Sequence, residues 1–272
     1  MTEATMVEPI ELLPNGLDSI LSEAHERLRA IPETLSRYEA LAAAARVQQD
    51  LSNRLSATVY AHVNSRPGNR LACGPGCSTC CHMPSDIGGG KSFRLSLLDI
   101  VMLLEAEEVI NRSVADAVGR AVDSVERARA GGTVACPYLD SSGQCGIYEV
   151  RPVPCKIWFS RDLAACVRNR DAGYAQGGVN PDTAASNDLL RQFEEPFEAF
   201  VRDRAPMYPY RAEFDFLRIF AYAGKISEAG LTEVQKQKVD EGDLVNQHRT
   251  LTLYRRRRLT RGFLVSGCPG SA

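Results

Sequence analysis

The chain has 272 residues, enough for one large domain or two modest ones, and enough to bury a core without disulfide staples. With 44% hydrophobic and 24% charged residues it has the composition of an ordinary globular protein, and a net charge of −2 gives no reason to expect nucleic acid or an acidic membrane surface as partner.

Residues 1–68 read as a helical N-terminal segment. Leu17, Leu21, Ala24, Leu28 and Ile31 recur three or four apart, the period of a helix face. Pro32 interrupts the stripe and is suited to the first position of a new helix. Leu35, Tyr38, Leu41, Ala45, Leu51, Leu55 and Val59 continue it to about Asn64, ahead of Pro67 and Gly68. Two helices packed as a hairpin would cover these faces.

Residues 69–171 carry eight of the nine cysteines. Gly74, Pro75 and Gly76 place the first group on a loop, and Gly88, Gly89 and Gly90 close it. Lys91 and Ser92 after the glycines echo a phosphate-binding loop, but the preceding strand and the first glycine are missing, so the stretch reads as a hinge. Ser96 followed by Asp99 resembles a capping box, and a helix over 97–109 follows. Ser113 and Asp116 repeat the signal ahead of Val114, Val118, Ala121, Val122 and Val125, a second helix stopped by Gly131 and Gly132. Residues 172–272 read as a helical C-terminal region packing on this one. Leu189, Phe193, Phe197 and Phe200 share a helix face, with a kink or fresh start expected at Pro196. The apolar stretch 214–223 leans to helix, and the tail, with Arg255 to Arg258, reads as a charged, solvated face.

No apolar run approaches the roughly 20 residues needed to cross a bilayer; residues 93–104 are cut by Arg94, Ser96 and Asp99. The first eleven residues carry Glu3, Glu8 and Glu11 rather than the basic start and apolar run of a signal peptide. No membrane and a cytoplasmic location are therefore expected. There, clustered cysteines favour metal or redox chemistry over disulfides.

The cysteine spacing is the main signal. Cys73, Cys77, Cys80 and Cys81 form C-x3-C-x2-C-C; Cys136, Cys145, Cys155 and Cys166 follow at intervals of nine, ten and eleven residues. Thiolates are soft, strongly donating ligands for zinc and iron–sulfur clusters. A Cys-x-x-Cys turn converges two sulfurs on one centre, and a distant loop completes four-fold ligation. Helices between the groups would return Cys136 to Cys155 onto the first loop. Cys80 and Cys81, if extended, point to opposite sides and so serve two centres, or one ligates while the other packs. Cys166 fits ligation and packing equally, and Cys268 reads as a buried small apolar residue. His82 is a further possible ligand, whereas His25, His62 and His248 read as ordinary helical residues.

These residues resemble a known family. The run Cys73-Gly-Pro-Gly-Cys77-Ser-Thr-Cys80-Cys81-His82 is similar to the signature of the CxxCxxCC proteins. Cys136-Pro137-Tyr138-Leu139, then Cys145-Gly146-Ile147-Tyr148, then Arg151-Pro152-Val153-Pro154-Cys155 match the family's later stretches in order. The resemblance covers about 73–166. It departs in the three residues between Cys73 and Cys77, where the family name has two, and in Lys156, where arginine is usual. It implies zinc or iron chelation, and some members are labelled iron–sulfur oxidoreductases. Tyr148 and Trp158 are candidates to wall such a site from water; Arg151, Lys156 and Lys91 are candidates to offset thiolate charge.

The expected protein is mainly α, a helical chain with a cysteine-rich loop core that binds metal. The metal ligands are Cys73, Cys77, Cys80, Cys81, Cys136, Cys145, Cys155 and Cys166, and the cofactor is an iron–sulfur cluster, of the [4Fe–4S] type, or Zn2+. Three readings follow. One is an iron–sulfur protein in electron transfer or redox sensing, with a redox or protein partner. The second is a zinc-chelating structural or interaction module without catalysis. The third is an enzyme using the bound metal for redox or group transfer, with a pocket formed by residues 193–222.

Overall fold

A computed structural model of the chain describes residues 17–68, 70–74, 76–84, 94–110, 117, 120, 133–171, 182–206 and 210–215. Among these the protein is mainly helical: α1 (Leu17–Arg29), α2 (Arg37–Asn64), α3 (Leu97–Ile110), α4 (Val153–Ile157), α5 (Leu163–Asp171) and α6 (Asp182–Arg204). Four short strands pair in two antiparallel ribbons. In one, β1 (His82–Pro84) faces β3 (Thr133–Ala135); in the other, β2 (Arg94–Ser96) faces β4 (Arg211–Asp215) with a shift in register.

The central element is α2. Its apolar positions include Leu41, Ala44, Ala45, Leu51, Leu55 and Val59, all at most 1% exposed, so the helix is wrapped on several sides. It packs on α1, α3, α4 and α6, and one continuous core runs from Leu17 through Leu51, Leu98 and Ile157 to Phe193 and Phe197. The hairpin of the first two helices is present, but the second helix does not start at Pro32. Residues 30–35 turn, and Ser36 caps α2: its hydroxyl accepts from Glu39 N, while the Glu39 carboxylate accepts from Ser36 N. A full capping box satisfies two helix-end donors that a proline at N1 would leave unmet. Ser36→Ala is expected to lower stability by about 1 kcal/mol, measured as a shift in urea midpoint.

The capping box at Ser96 and Asp99 is also present. Ser96 N donates to Asp99 Oδ2 at 2.9 Å, and Asp99 N donates to Ser96 Oγ at 3.1 Å, opening α3 at Leu97. Of the helix expected around 114–125, residues 117 and 120 are described and both are helical; the glycine hinge at 88–90 lies outside the described residues.

Helix α6 runs through Pro196 as one element, with no fresh helix start there. Proline costs one backbone bond there, and burial of Phe193, Pro196, Phe197 and Val201 outweighs that loss. Phe193 and Phe197 are fully buried in the core rather than lining a pocket. Residues 214 and 215, read as the start of a helix, close strand β4; 216–272, with Cys268 and the arginine run, lie outside the described residues. No helix among the described residues is long and apolar enough to cross a membrane.

Candidate metal centre

The first loop leaves α2 and is pinned at once. Leu71 N donates to Asn64 Oδ1 at 2.9 Å, and Ala72 N donates to Ser160 O at 2.7 Å. The Cys73 thiol faces the same carbonyl, 3.9 Å from Ser160 O. Gly76, at φ +86°, takes the left-handed backbone that lets Cys77 N reach back to Gly74 O at 3.0 Å. Thr79–Cys81 is a single 3-10 turn, closed by Cys81 N donating to Ser78 O. The extended geometry expected for Cys80 and Cys81 is therefore absent. Successive side chains of a 3-10 turn step by about 120°, not 180°, so the two thiols do not point to opposite sides.

The second group returns onto this turn. Cys136 N donates to Cys81 O at 2.6 Å, extending the β1–β3 pairing in which His82 faces Ala135. A tight hairpin then reverses the chain: Gly146 N donates to Tyr138 O, Leu139 bridges to Cys145, and Gly143 turns at φ +76°. A side chain at Gly143 would come within 3.9 Å of Ser78 Oγ, so the hairpin tip lies over the first loop. Cys155 sits in α4, its N–H donating to Pro152 O. Cys166 sits in α5, which packs on the 79–81 turn and on β1. Asp162 caps α5, accepting from Ala165 N at 2.8 Å.

All eight cysteines are free thiols, with Cys77 exposed and the rest partly buried. Their mutual electrostatics form two overlapping sets. Cys155 feels Cys80, Cys136 and Cys145; Cys136 feels Cys145 and Cys80. Cys73 feels Cys80, Cys77 and Cys166; Cys166 feels Cys80 and Cys77. Cys80 stands where the sets meet. Among the described residues no three His, Cys, Asp or Glu side chains already have the spacing of a formed ion site. The sulfurs act on one another at electrostatic range across the two loops.

Burial pushes the Cys73 and Cys136 thiols up to about 12, and holds those of Cys155 and Cys166 above the ordinary value. The Cys80 thiol is raised first by its bond to Cys81 and then by burial. Arg151 opposes these shifts at Cys80 and Cys155; its guanidinium stacks 3.8 Å over the ring of Tyr148, which is 39% exposed. Lys156 is not on the surface. Its ammonium donates to Ser52 Oγ at 3.0 Å, and burial lowers it to about 7 against the opposing pull of Asp99. His82 Nδ1 lies 3.1 Å from Ser78 O.

Between the ordinary value of 9.0 and about 12, the folded chain holds protons on Cys73 and Cys136 that the unfolded chain has released. The contribution of these two thiols is thus full below pH 9 and is lost as pH rises toward 12, while Lys156, lowered to about 7 from its ordinary 10.5, gains stability as pH rises between those values. Urea titrations at about pH 8 and about pH 10 will show the wild type losing more midpoint over that rise than a Cys73→Ser, Cys136→Ser double variant, in which the Lys156 contribution remains. A bound cation reverses this state, deprotonating the thiols and releasing their protons.

Residues 72–171 match the family model CxxCxxCC, described as "putative zinc- or iron-chelating domain". These residues are similar to a CxxCxxCC domain. No match was found among curated proteins or solved structures. The family supports metal binding in general, and both metals in its description suit an all-thiol donor set.

Several residues that support the CxxCxxCC segment gave no functional signal in the sequence. Gln48, Ser52 and Ser56 lie on the core face of α2, where polar residues read as interruptions. Asp182 and Ser186, in α6, hold residues 159–161 and through them the Cys73 loop. Arg161 N donates to Asp182 Oδ2 at 2.7 Å and Phe159 N to Ser186 Oγ at 3.2 Å. Asp99 was legible only as a helix cap.

Proposed function

We propose that the protein holds a thiolate-ligated iron–sulfur cluster, of the [4Fe–4S] type, and serves in electron transfer or redox sensing. Cys80, Cys136, Cys145 and Cys155 form the principal ligand set; Cys73, Cys77, Cys81 and Cys166 are the neighbouring thiols. Residues 69–171 act as the chelating segment, with 1–68 and 172–272 as helical support. The observation that carries this reading is the return of the second group of free, partly buried thiols onto the first: Cys136 N donates to Cys81 O at 2.6 Å, and the hairpin leading to Cys145 lies over Ser78. Such thiols are costly to ionise without a cation and gain most from one. When bound, a cluster supplies one-electron transfer at a potential set by burial and nearby charge. Arg151, beside Cys80 and Cys155, is the charge placed to raise that potential.

Zinc is the second reading, because four thiolates in a tetrahedron make a structural zinc site and the family description names zinc beside iron. Anaerobic purification from iron-replete cells, with elemental analysis and visible spectroscopy, separates the two. Iron with sulfide and a broad band near about 400 nm is expected of the cluster. Colourless protein with stoichiometric zinc assigns the structural module instead, and protein without either metal removes both.

A further inference from the structure

We infer that Asp99 is a positioning residue for Cys155, acting through the backbone of Val153; its bearing on metal affinity rests on the ligand assignment proposed above. Helix α4 starts at Val153 with Pro152 at its N-cap, and proline offers no side-chain acceptor for the first N–H groups. The acceptor comes from 54 residues away. Val153 N donates to Asp99 Oδ1 at 2.9 Å, and this carboxylate is 3% exposed.

Asp99 is itself held on every side. Oδ1 also accepts from Gln48 Nε2 at 3.1 Å, and Oδ2 accepts from Ser96 N and Ser96 Oγ, both at 2.9 Å. Gln48 is fixed in turn by Tyr210, whose hydroxyl donates to Gln48 Oε1 at 2.8 Å. On the far side of Cys155, Lys156 O accepts from Ser56 Oγ at 3.1 Å and Lys156 Nζ donates to Ser52 Oγ. The Cys155 turn is thus clamped before and after by buried groups that α2 supplies or orients. A ligand backbone fixed in this way spares the ordering cost of metal binding, and loss of such outer contacts typically weakens a metal site about 10–100-fold.

The test compares Asp99→Leu, which is close in shape but carries no acceptor, Asp99→Ala and Ser96→Ala in the full chain. Ser96→Ala perturbs the Oδ2 side of the carboxylate and leaves the Val153 bond in place. In metal-free protein, alkylation of each cysteine is followed by mass spectrometry, and circular dichroism confirms the fold. Both Asp99 variants are expected to raise the ratio of Cys155 to Cys136 alkylation rates about tenfold, against less than about twofold for Ser96→Ala. Zinc affinity, read by competition with a chromophoric chelator, should fall about tenfold in the Asp99 variants.

An unchanged rate ratio in Asp99→Leu, or an equal rise in Ser96→Ala, overturns the inference. Should Asp99→Ala not fold, the near-isosteric Leu variant decides. Should neither fold, amide exchange in the wild type decides: protection of Val153 N–H supports the bond, and exchange as fast as at exposed Ser141 overturns it. If the wild type takes up neither zinc nor iron, the metal reading fails while the alkylation ratio still reports on Asp99.

Discussion

Serine in place of Cys80 will strip the protein of its metal. Cys80 couples to both sets, to Cys136 and Cys155 on one side and to Cys73 and Cys166 on the other. A serine hydroxyl keeps nearly the same shape but does not ionise near neutral pH and is a poor ligand for soft metals. Loss of a direct ligand exceeds the loss from outer contacts, so affinity should fall by more than about a hundredfold. Metal content after anaerobic purification and chelator competition measure this, with circular dichroism to show the fold is kept. Cys77→Ser, at the exposed edge of the loop, should have the smaller effect. Full metal occupancy in Cys80→Ser would end the assignment of Cys80 as a ligand.

The second large effect is on stability, at Asp182. Its carboxylate is fully buried at the start of α6, where it accepts from Arg161 N at 2.7 Å and from Arg161 Nε at 3.0 Å, and pairs with Nη2 at 2.8 Å. Asp182→Ala leaves a mostly buried guanidinium and a backbone N–H without this acceptor. Breaking a buried pair from one side costs about 3–5 kcal/mol, and a urea midpoint shift of that size is expected. Ser160 precedes Arg161 and receives Ala72 N and the Cys73 thiol, so Cys73 should also alkylate faster. A stability loss below about 1 kcal/mol would mean that water replaces the carboxylate.

Much of the helical frame was legible in advance, because it depends on local pattern. The apolar period of Leu17 to Leu28 and of Leu41 to Val59 marks α1 and α2, and Ser96 with Asp99 marks the start of α3 within a residue. Pro32 and Pro196 start no helix for one reason: proline is punctuation only when nothing stronger competes. At residue 36 a capping box offers more satisfied donors, and around 196 the core offers more buried area. The stretch 211–215 is strand because β2 provides a partner for its backbone, a condition set by residues more than a hundred positions away.

The sequence by itself determined the donor chemistry: eight thiols in two groups, in an order that matches the CxxCxxCC domain. Side-chain type and short spacing are local properties, and ligand hardness follows from them. Only the tertiary structure decided which thiols are neighbours, that Cys80 and Cys81 share a 3-10 turn, and that Lys156 is buried against Ser52. It alone decided that Asp99, besides capping its own helix, also holds the Cys155 turn. Those outcomes depend on hydrogen bonds and desolvation between segments 50 to 100 residues apart. Such contacts leave no periodic trace in the chain, since any polar residue facing the core at the right height can make them.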